Sequence, residues 1–298
     1  MILAVAALVL TGVFPLSDSL LADIQQRIAQ EPGAQVGLAY VDLGTGDSLF
    51  IDADSSFHAA STMKVPVMIE VFRRAAEGGF SMSQRLLVVN QFASIVDGSP
   101  YALDVGSDSD SSLYLRVGQR VSVDTLLRLM ITRSSNLATN TLIALVGAEQ
   151  VTQTMRGLGA QRIQVLRGVE DQKAFDKGLV NTTTARDLAI ILRALEQGTA
   201  APTGATQSMR QILLAQEFNE KIPAGVPAGV PVAHKTGEIT AHSHDAAIVY
   251  PPGRKPYVLV VLTRGIQDGA RSSALIADIS RMIYGHTTGA YPITLPTR

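Results

Sequence analysis

Strong strand-forming segments lie near the two ends of this 298-residue chain, with helical segments between them. Near the N-terminus, QVGLAYVDL and DSLFIDAD are separated by a glycine-containing turn and predict a β-hairpin. Toward the C-terminus, VPVAHKTGEI, DAAIVYPP and KPYVLVVLTR predict three further strands. The sequence therefore predicts an α/β (α+β) fold. A five-stranded antiparallel sheet is flanked by helices, and an all-helical half is inserted between its second and third strands.

The middle of the chain carries clear helix-start signals. Ser122 precedes one apolar run of helical period, and Thr184 with Asp187 forms a capping signature before another. Residues 90–112 are rich in Ser, Asp and Gly and predict an irregular segment. We therefore expect one domain with an α/β half, residues 19–60 and 216–298, and a helical half, residues 61–215.

Composition excludes several classes of function. A net charge of −1 without clustered basic residues argues against nucleic-acid binding. The absence of cysteine excludes disulfides, thiolate metal sites and a cysteine nucleophile. A hydrophobic content of 46% with 17% charged residues provides for a sizeable core.

Residues 1–18 predict a signal peptide, because residues 2–14 are almost wholly apolar but too few to span a membrane. No Lys or Arg precedes the apolar run and no A-x-A cleavage site follows, so we expect the true start to lie upstream. A buried N-terminal helix is the alternative. We expect an exported bacterial protein, periplasmic or secreted, that is monomeric and has no membrane span after processing.

The segment FHAASTMKVPVMIE places Ser61 three residues before Lys64 at the start of an apolar run. In a helix beginning near Ser61, these two side chains share a face. Burial would lower the pKa of the lysine amine, and a neutral amine can accept the serine proton. A single S-x-x-K pattern also arises by chance, so this motif alone does not establish a nucleophile.

Two further motifs follow in order. Ser134-x-Asn136 stands at a predicted helix junction, and Lys235-Thr236-Gly237 lies on the first strand after a Pro/Gly-rich loop. Each has an ordinary explanation, since Ser134 and Asn136 could cap a helix and Lys235 could be an exposed strand residue. The three motifs together, each in a fitting setting, favour a shared site.

These residues resemble those of the penicillin-recognising serine hydrolases, and within them the class A β-lactamases, which carry S-x-x-K, S-D-N and K-T-G in this order. SSNLATN and TTARDLA are similar to the family as well, and the resemblance covers nearly everything after residue 18. It implies a β-lactamase/transpeptidase-like fold. This chain departs from the pattern at Ser135, where the family usually has aspartate, and in the long polar stretch before residue 113.

The resemblance assigns Ser61 as the nucleophile, and physical arguments support the roles of its neighbours. Lys64 is the candidate base for acylation, and its pKa would fall further beside Lys235. Ser134 can pass a proton to the leaving nitrogen, because a hydroxyl both donates and accepts. The backbone N–H groups of Ser61 and Glu238 would hold the oxyanion.

Other motif residues are expected to bind substrate. Asn136 would bind the substrate's side-chain amide, and Lys235 with Thr236 would hold its carboxylate. Gly237 would leave room for substrate along the strand.

The family's deacylating glutamate lies on a loop where this chain departs from the family pattern. Glu170 is the best candidate, although EDQKA lacks the asparagine four residues on. At the neck of this loop the family has an Arg–Asp ion pair. Here Arg167 faces Asn181 instead, which predicts an arginine–asparagine hydrogen bond without charge assistance. Glu170 could equally be a solvated loop acid.

A metal site at His234, His242 and His244 is an alternative, but no acid in the nearby sequence completes a zinc pattern. The family resemblance implies no metal and no cofactor.

The predicted function is hydrolysis of the β-lactam amide through a Ser61 acyl-enzyme. A D-alanyl-D-alanine peptidase acting on peptidoglycan stem peptides, or a penicillin-binding sensor with slow deacylation, is the alternative. All three need the same motifs and differ in the lifetime of the adduct.

Overall fold

The structure is a computed structural model that describes residues 18–202 and 204–290. Apart from Asp18, the predicted signal peptide of residues 1–18 lies outside the described residues. The strands are β1 Gln35–Asp42, β2 Ser48–Ile51, β3 Phe57–His58, β4 Arg85–Leu87, β5 Phe92–Ala93, β6 Pro100–Tyr101, β7 Arg120–Ser122, β8 Thr182–Thr183, β9 Val232–Ile239, β10 His242–Val249 and β11 Tyr257–Arg264. The helices are α1 Asp18–Ala29, α2 Lys64–Ala76, α3 Val123–Thr132, α4 Asn136–Val146, α5 Ala148–Gly157, α6 Gln172–Asp176, α7 Ala185–Glu196, α8 Ala205–Leu214 and α9 Gly269–Thr288. The 3-10 helices are Ala60–Met63, Ser112–Arg116 and Ile222–Gly225.

The central sheet has five strands in the order β2-β1-β11-β10-β9, and all its neighbours are antiparallel. This confirms the predicted fold class, in which two N-terminal and three C-terminal strands form one sheet. β9, which carries the K-T-G motif, lies at one edge.

Each face of the sheet is buried in a different core. Side chains alternate between faces along a strand, so Leu38 packs with α1 and α9, whereas its neighbour Ala39 packs toward the helical half. β11 is buried on both sides from Tyr257 to Thr263, which explains its continuous apolar sequence.

Helix α2 is buried all round, from Lys64 to Phe72, and packs on α3, α4, α5 and α8. A helix that is apolar on every side has to be central. The expected start near Ser61 is corrected: a 3-10 turn, Ala60–Met63, precedes the α-helix, which begins at Lys64. Such a tighter turn often opens a helix.

Helix ends largely follow the sequence signals. The side chain of Ser122 accepts from Thr125 N, and that of Thr184 accepts from Asp187 N. The last helix, α9, begins after the Asp268 cap, whose side chain accepts from Ala270 N and Arg271 N. The segment 90–112, predicted as irregular, contains the short antiparallel pair of β5 and β6.

Within the described part of the chain, no helix is long and apolar enough to cross a membrane.

Candidate active site

Ser61 lies at the seam between the 3-10 helix and the edge strand β9. A Cβ atom added to Gly237 would come within 3.0 Å of the backbone nitrogens of Ser61 and Thr62. The close approach of two backbones therefore favours glycine at this position, in addition to the expected room for substrate. The approach brings the N–H of Ser61 to the same end of the site as Glu238, the residue after the motif.

Two cavities meet at Ser61. One, of about 860 Å³, is bounded by Ser134, Thr236 and Lys221. The other, of about 540 Å³, lies under the loop that carries Glu170. Ser61, Asn136 and Glu238 line both cavities. A substrate could thus extend in two directions from the nucleophile.

Lys64 is fully buried beneath this seam. Its Nζ contacts Ser134 O at 2.6 Å, Ser134 Oγ at 3.1 Å and Asn136 Oδ1 at 2.8 Å. Burial lowers the pKa of Lys64 to about 7, and the charges of Asp108 and Glu170 oppose that shift. A substantial fraction of the amine is therefore neutral near neutral pH.

Ser134 lies between two buried lysines. Its Oγ is 3.1 Å from Lys64 Nζ and 3.0 Å from Lys235 Nζ, so the two amines are no more than about 6 Å apart. Burial and the charge of Lys64 hold the pKa of Lys235 well below its usual value. At Lys64 burial is the leading cause, as the sequence predicted, whereas Lys235, from which a further lowering was expected, is not among the charges that shift its pKa.

The predicted contact between Ser61 and Lys64 is not a direct hydrogen bond. Within the described residues, the Ser61 hydroxyl makes no hydrogen bond, while the Lys64 amine is directed to Ser134 and Asn136. Catalytic hydrogen bonds are often loose in a site without substrate.

Backbone strain is concentrated here. Ala60, Ser134 and Glu170 adopt positive φ angles of 44°, 59° and 61°. Ala60 N donates to His58 Nδ1 at 3.0 Å, which helps to hold the first of them. Such conformations cost about 1–3 kcal/mol each and persist where the surrounding contacts fix them.

Glu170 reaches the site through Asn136. Its Oε1 accepts from Asn136 Nδ2 at 2.7 Å, and its Oε2 accepts from Asp104 N at 3.3 Å. Asn136 thus joins Glu170 to Lys64. The structure therefore brings Glu170 to the same site as the nucleophile and places it in the second cavity.

The neck of the Glu170 loop is closed differently from the predicted side-chain pair. Asn181 Oδ1 accepts from Leu166 N at 2.8 Å and Arg167 N at 3.2 Å, and Asn181 Nδ2 donates to Arg167 O at 3.0 Å. The Arg167 guanidinium donates instead to the carbonyls of Leu179 and Gly168. An amide can satisfy both N–H and C=O groups, so Asn181 binds the backbone of Arg167, where a carboxylate could only accept.

The polar segment 90–112 holds this loop from outside. The Asp171 carboxylate accepts from Ser94 Oγ at 2.9 Å, Ile95 N at 3.0 Å and Ala174 N at 3.1 Å. Burial alone would raise the pKa of Asp171, but these hydrogen bonds lower it, so the carboxylate remains charged. Tyr101 adds a hydrogen bond from its hydroxyl to Val169 O.

Asp108 is a site residue that sequence reasoning missed. Its carboxylate accepts from Asn136 N at 3.0 and 2.9 Å and from Leu137 N at 3.0 Å, at the start of α4. Ser135, which stands where the family usually has aspartate, caps the helix only through Ala138 N. The negative charge at this helix N-terminus is supplied from another segment.

Lys221 is a second missed residue. It is buried, and its amine forms an ion pair with the exposed carboxylate of Glu238 at the rim of the larger cavity. No motif marks it: Lys221 stands just before the Pro/Gly-rich loop, whose pattern predicts turns and assigns no role to the lysine.

The histidines have structural partners. His234 Nδ1 is 3.0 Å from Asp245 Oδ1, and His244 Nε2 is 2.9 Å from His58 O. Burial lowers the pKa of both His58 and His244 to about 4, so both are neutral at pH 7. Among residues 18–202 and 204–290, no group of three or more His, Asp or Glu side chains could hold a metal ion.

Comparisons with known proteins agree with this geometry. The family model described as the beta-lactamase enzyme family matches residues 19–287. A β-lactamase of Streptomyces albus G is 29% identical over 88% of this chain and 84% of its own length. β-Lactamase AST-1 of Nocardia asteroides is 31% identical over 84% of this chain and 78% of its own. The solved structure of PBP-A superposes with a TM-score of 0.79 at 28% identity, covering 93% of this chain and 98% of that one.

Proposed function

Because the chain belongs to the beta-lactamase enzyme family, we propose that it is a class A-like serine β-lactamase that opens the β-lactam amide through an acyl-enzyme on Ser61. The observation that carries this proposal is the fully buried amine of Lys64, with its pKa lowered to about 7, one helical turn from Ser61. A base of that pKa is suited to proton transfer at neutral pH.

In acylation, Ser61 Oγ attacks the lactam carbonyl carbon while Lys64 Nζ takes its proton. The N–H groups of Ser61 and Glu238 stabilise the negative charge on the carbonyl oxygen. The C–N bond then breaks, and the ring nitrogen takes a proton from Ser134 Oγ. Lys64 returns its proton to Ser134, so the net transfer is one proton from Ser61 to nitrogen. The 3.1 Å contact between Lys64 and Ser134 supports that relay.

Substrate binding uses the same cavity walls. Thr236 and Lys235 would bind the substrate carboxylate by hydroxyl and charge. Asn136 would bind the side-chain amide.

In deacylation, Glu170 takes a proton from a water whose oxygen attacks the acyl carbon. The bond to Ser61 Oγ then breaks, and the proton held by Glu170 passes to the serine oxygen, which releases the ring-opened acid and restores the Glu170 carboxylate. The 2.7 Å bond to Asn136 supports this role because it aims one Glu170 oxygen into the site and leaves the carboxylate near the nucleophile.

We extend the proposal to location. Export to the periplasm or the medium is inferred from the apolar residues 2–14. It is tested by the intact mass of the mature protein, which shows where its N-terminus lies. A monomeric state stays a prediction, as do the signal-peptide boundary and the two-half division of the domain.

The test of function is intact-mass spectrometry at successive times after mixing with a penicillin. We expect a covalent adduct that disappears as hydrolysed product accumulates. An adduct that persists while no hydrolysed product accumulates would instead support the peptidase or sensor alternative.

Replacing Ser61 with alanine should abolish the adduct. Ser107→Ala is the matched control, since Ser107 lines the same cavity without touching the lysines, and it should still be labelled. Labelling that persists in Ser61→Ala would overturn the assignment of the nucleophile.

A further inference from the structure

At the rim of the larger cavity, a lysine side chain already forms an ion pair with a carboxylate of the protein itself. Lys221 Nζ lies 2.5 Å from Glu238 Oε1. The Lys221 side chain is 3% exposed, whereas that of Glu238 is 60% exposed. A buried ammonium whose partner carboxylate is exposed to water can exchange that partner for another anion.

The backbone next to Lys221 is held by hydrogen bonds. The next residue, Ile222, donates its N–H to Asp245 Oδ2 at 3.0 Å, and Asp245 is itself held by His234. The backbone beside Lys221 is therefore held in place, and the buried side chain lines the cavity.

Glu238 is directed toward the expected carboxylate site. Residues two apart on a strand point to the same side, so Glu238 and Thr236 share a face of β9. Both line the larger cavity together with Lys221 and Ser134. A substrate carboxylate bound at Thr236 would approach both the Lys221 cation and the Glu238 anion.

We propose that Glu238 is a specificity-determining residue, whose side chain competes with the carboxylate of an anionic substrate for Lys221. This inference rests on the proposed function. Binding of a carboxylate-bearing β-lactam then requires Glu238 to release Lys221, whereas a substrate without that charge leaves the pair intact. The built-in anion weakens the binding of substrates with a free carboxylate.

The experiment compares a penicillin with its methyl ester, which differ only in this charge. Stopped-flow or rapid-quench mass measurements give the second-order acylation rate constant for wild type and Glu238→Gln. Glutamine keeps the shape and the backbone N–H but removes the charge. We expect acylation by the free acid to rise about two- to fivefold, as for the loss of one ion pair whose carboxylate is exposed to water, and acylation by the ester to stay within about twofold.

Glu220→Gln is the matched control. Glu220 lines the same cavity, and within the described residues it makes no ion pair, so its substitution removes an equal charge without freeing Lys221. If both variants raise acylation by the free acid equally, the effect is one of general charge and the competition is refuted. Glu238→Ala should repeat the gain of Glu238→Gln.

The remaining outcomes are decisive as well. Unchanged or slower acylation of the free acid in Glu238→Gln, with normal acylation of the ester, overturns the competition while leaving the proposed function standing. The absence of any adduct in wild type and in both variants overturns the proposed function, and this inference with it.

Discussion

Replacing Asp108 with asparagine should weaken the fold while extending activity to lower pH. The carboxylate lies at the N-terminus of α4, where it accepts from the backbone N–H groups of Asn136 and Leu137. Asparagine keeps one accepting oxygen and loses the charge. From the range measured for helix caps and helix-end charges, we expect the free energy of unfolding to fall by about 1 kcal/mol.

The same substitution should lower stability but improve acylation at low pH. Lys64 must be neutral to accept the proton of Ser61, so acylation is lost as pH falls below the pKa of Lys64, which is about 7. The charge of Asp108 favours the ammonium and so raises that pKa. Without this charge the pKa falls further, and we expect the acid limb of the acylation profile to move down by roughly one pH unit.

The assay is the second-order acylation rate constant measured from about pH 5 to about pH 9, beside a urea unfolding curve. Asp110→Asn is the matched control, because Asp110 binds Ser112 in the same segment and is not among the charges that act on Lys64. It should change stability without moving the limb. An acid limb that stays in place or moves up in Asp108→Asn would refute this account of the Lys64 environment.

Two further substitutions test other parts of the site. Glu170→Gln should leave acylation nearly intact and lengthen the lifetime of the adduct by roughly 10²–10⁴-fold, the usual rate contribution of one positioned base. An unchanged adduct lifetime in mass spectrometry would mean that Glu170 is only a surface acid and would favour the peptidase alternative. Gly237→Ala should slow acylation and lower the free energy of unfolding by about 1–3 kcal/mol, because its Cβ would press on the nitrogens of Ser61 and Thr62. Gly157→Ala is its control, since a Cβ there meets no atom within 4 Å, and equal losses in both variants would contradict the close-approach argument.

The sequence predicted the strands and many helix boundaries because their signals are local. The alternation of β1, the caps at Ser122 and Thr184 and the apolar run of β11 each depend on residues a few positions apart. The start of α2 was placed wrongly near Ser61, since the apolar pattern does not distinguish a 3-10 turn from the first turn of an α-helix.

Pairs that are distant in sequence needed the fold. Asp108 and Asn136 are 28 residues apart, and nothing near Ser135 indicates that another segment supplies its missing carboxylate. The sequence indicated the Arg167–Asn181 pair, but only the fold shows that the Asn181 amide binds the backbone of Arg167.

What the sequence determined by itself is the fold class and the three motifs, because patterning and spacing are properties of the chain before it folds. Only the tertiary structure decided the electrostatics of the site. The pKa of Lys64 depends on how completely its amine is removed from water. The ion-pair partner of Lys221 depends on which carboxylate of β9 lies beside it. Burial and distance are set by the packing of segments from the whole chain, so no local pattern records them.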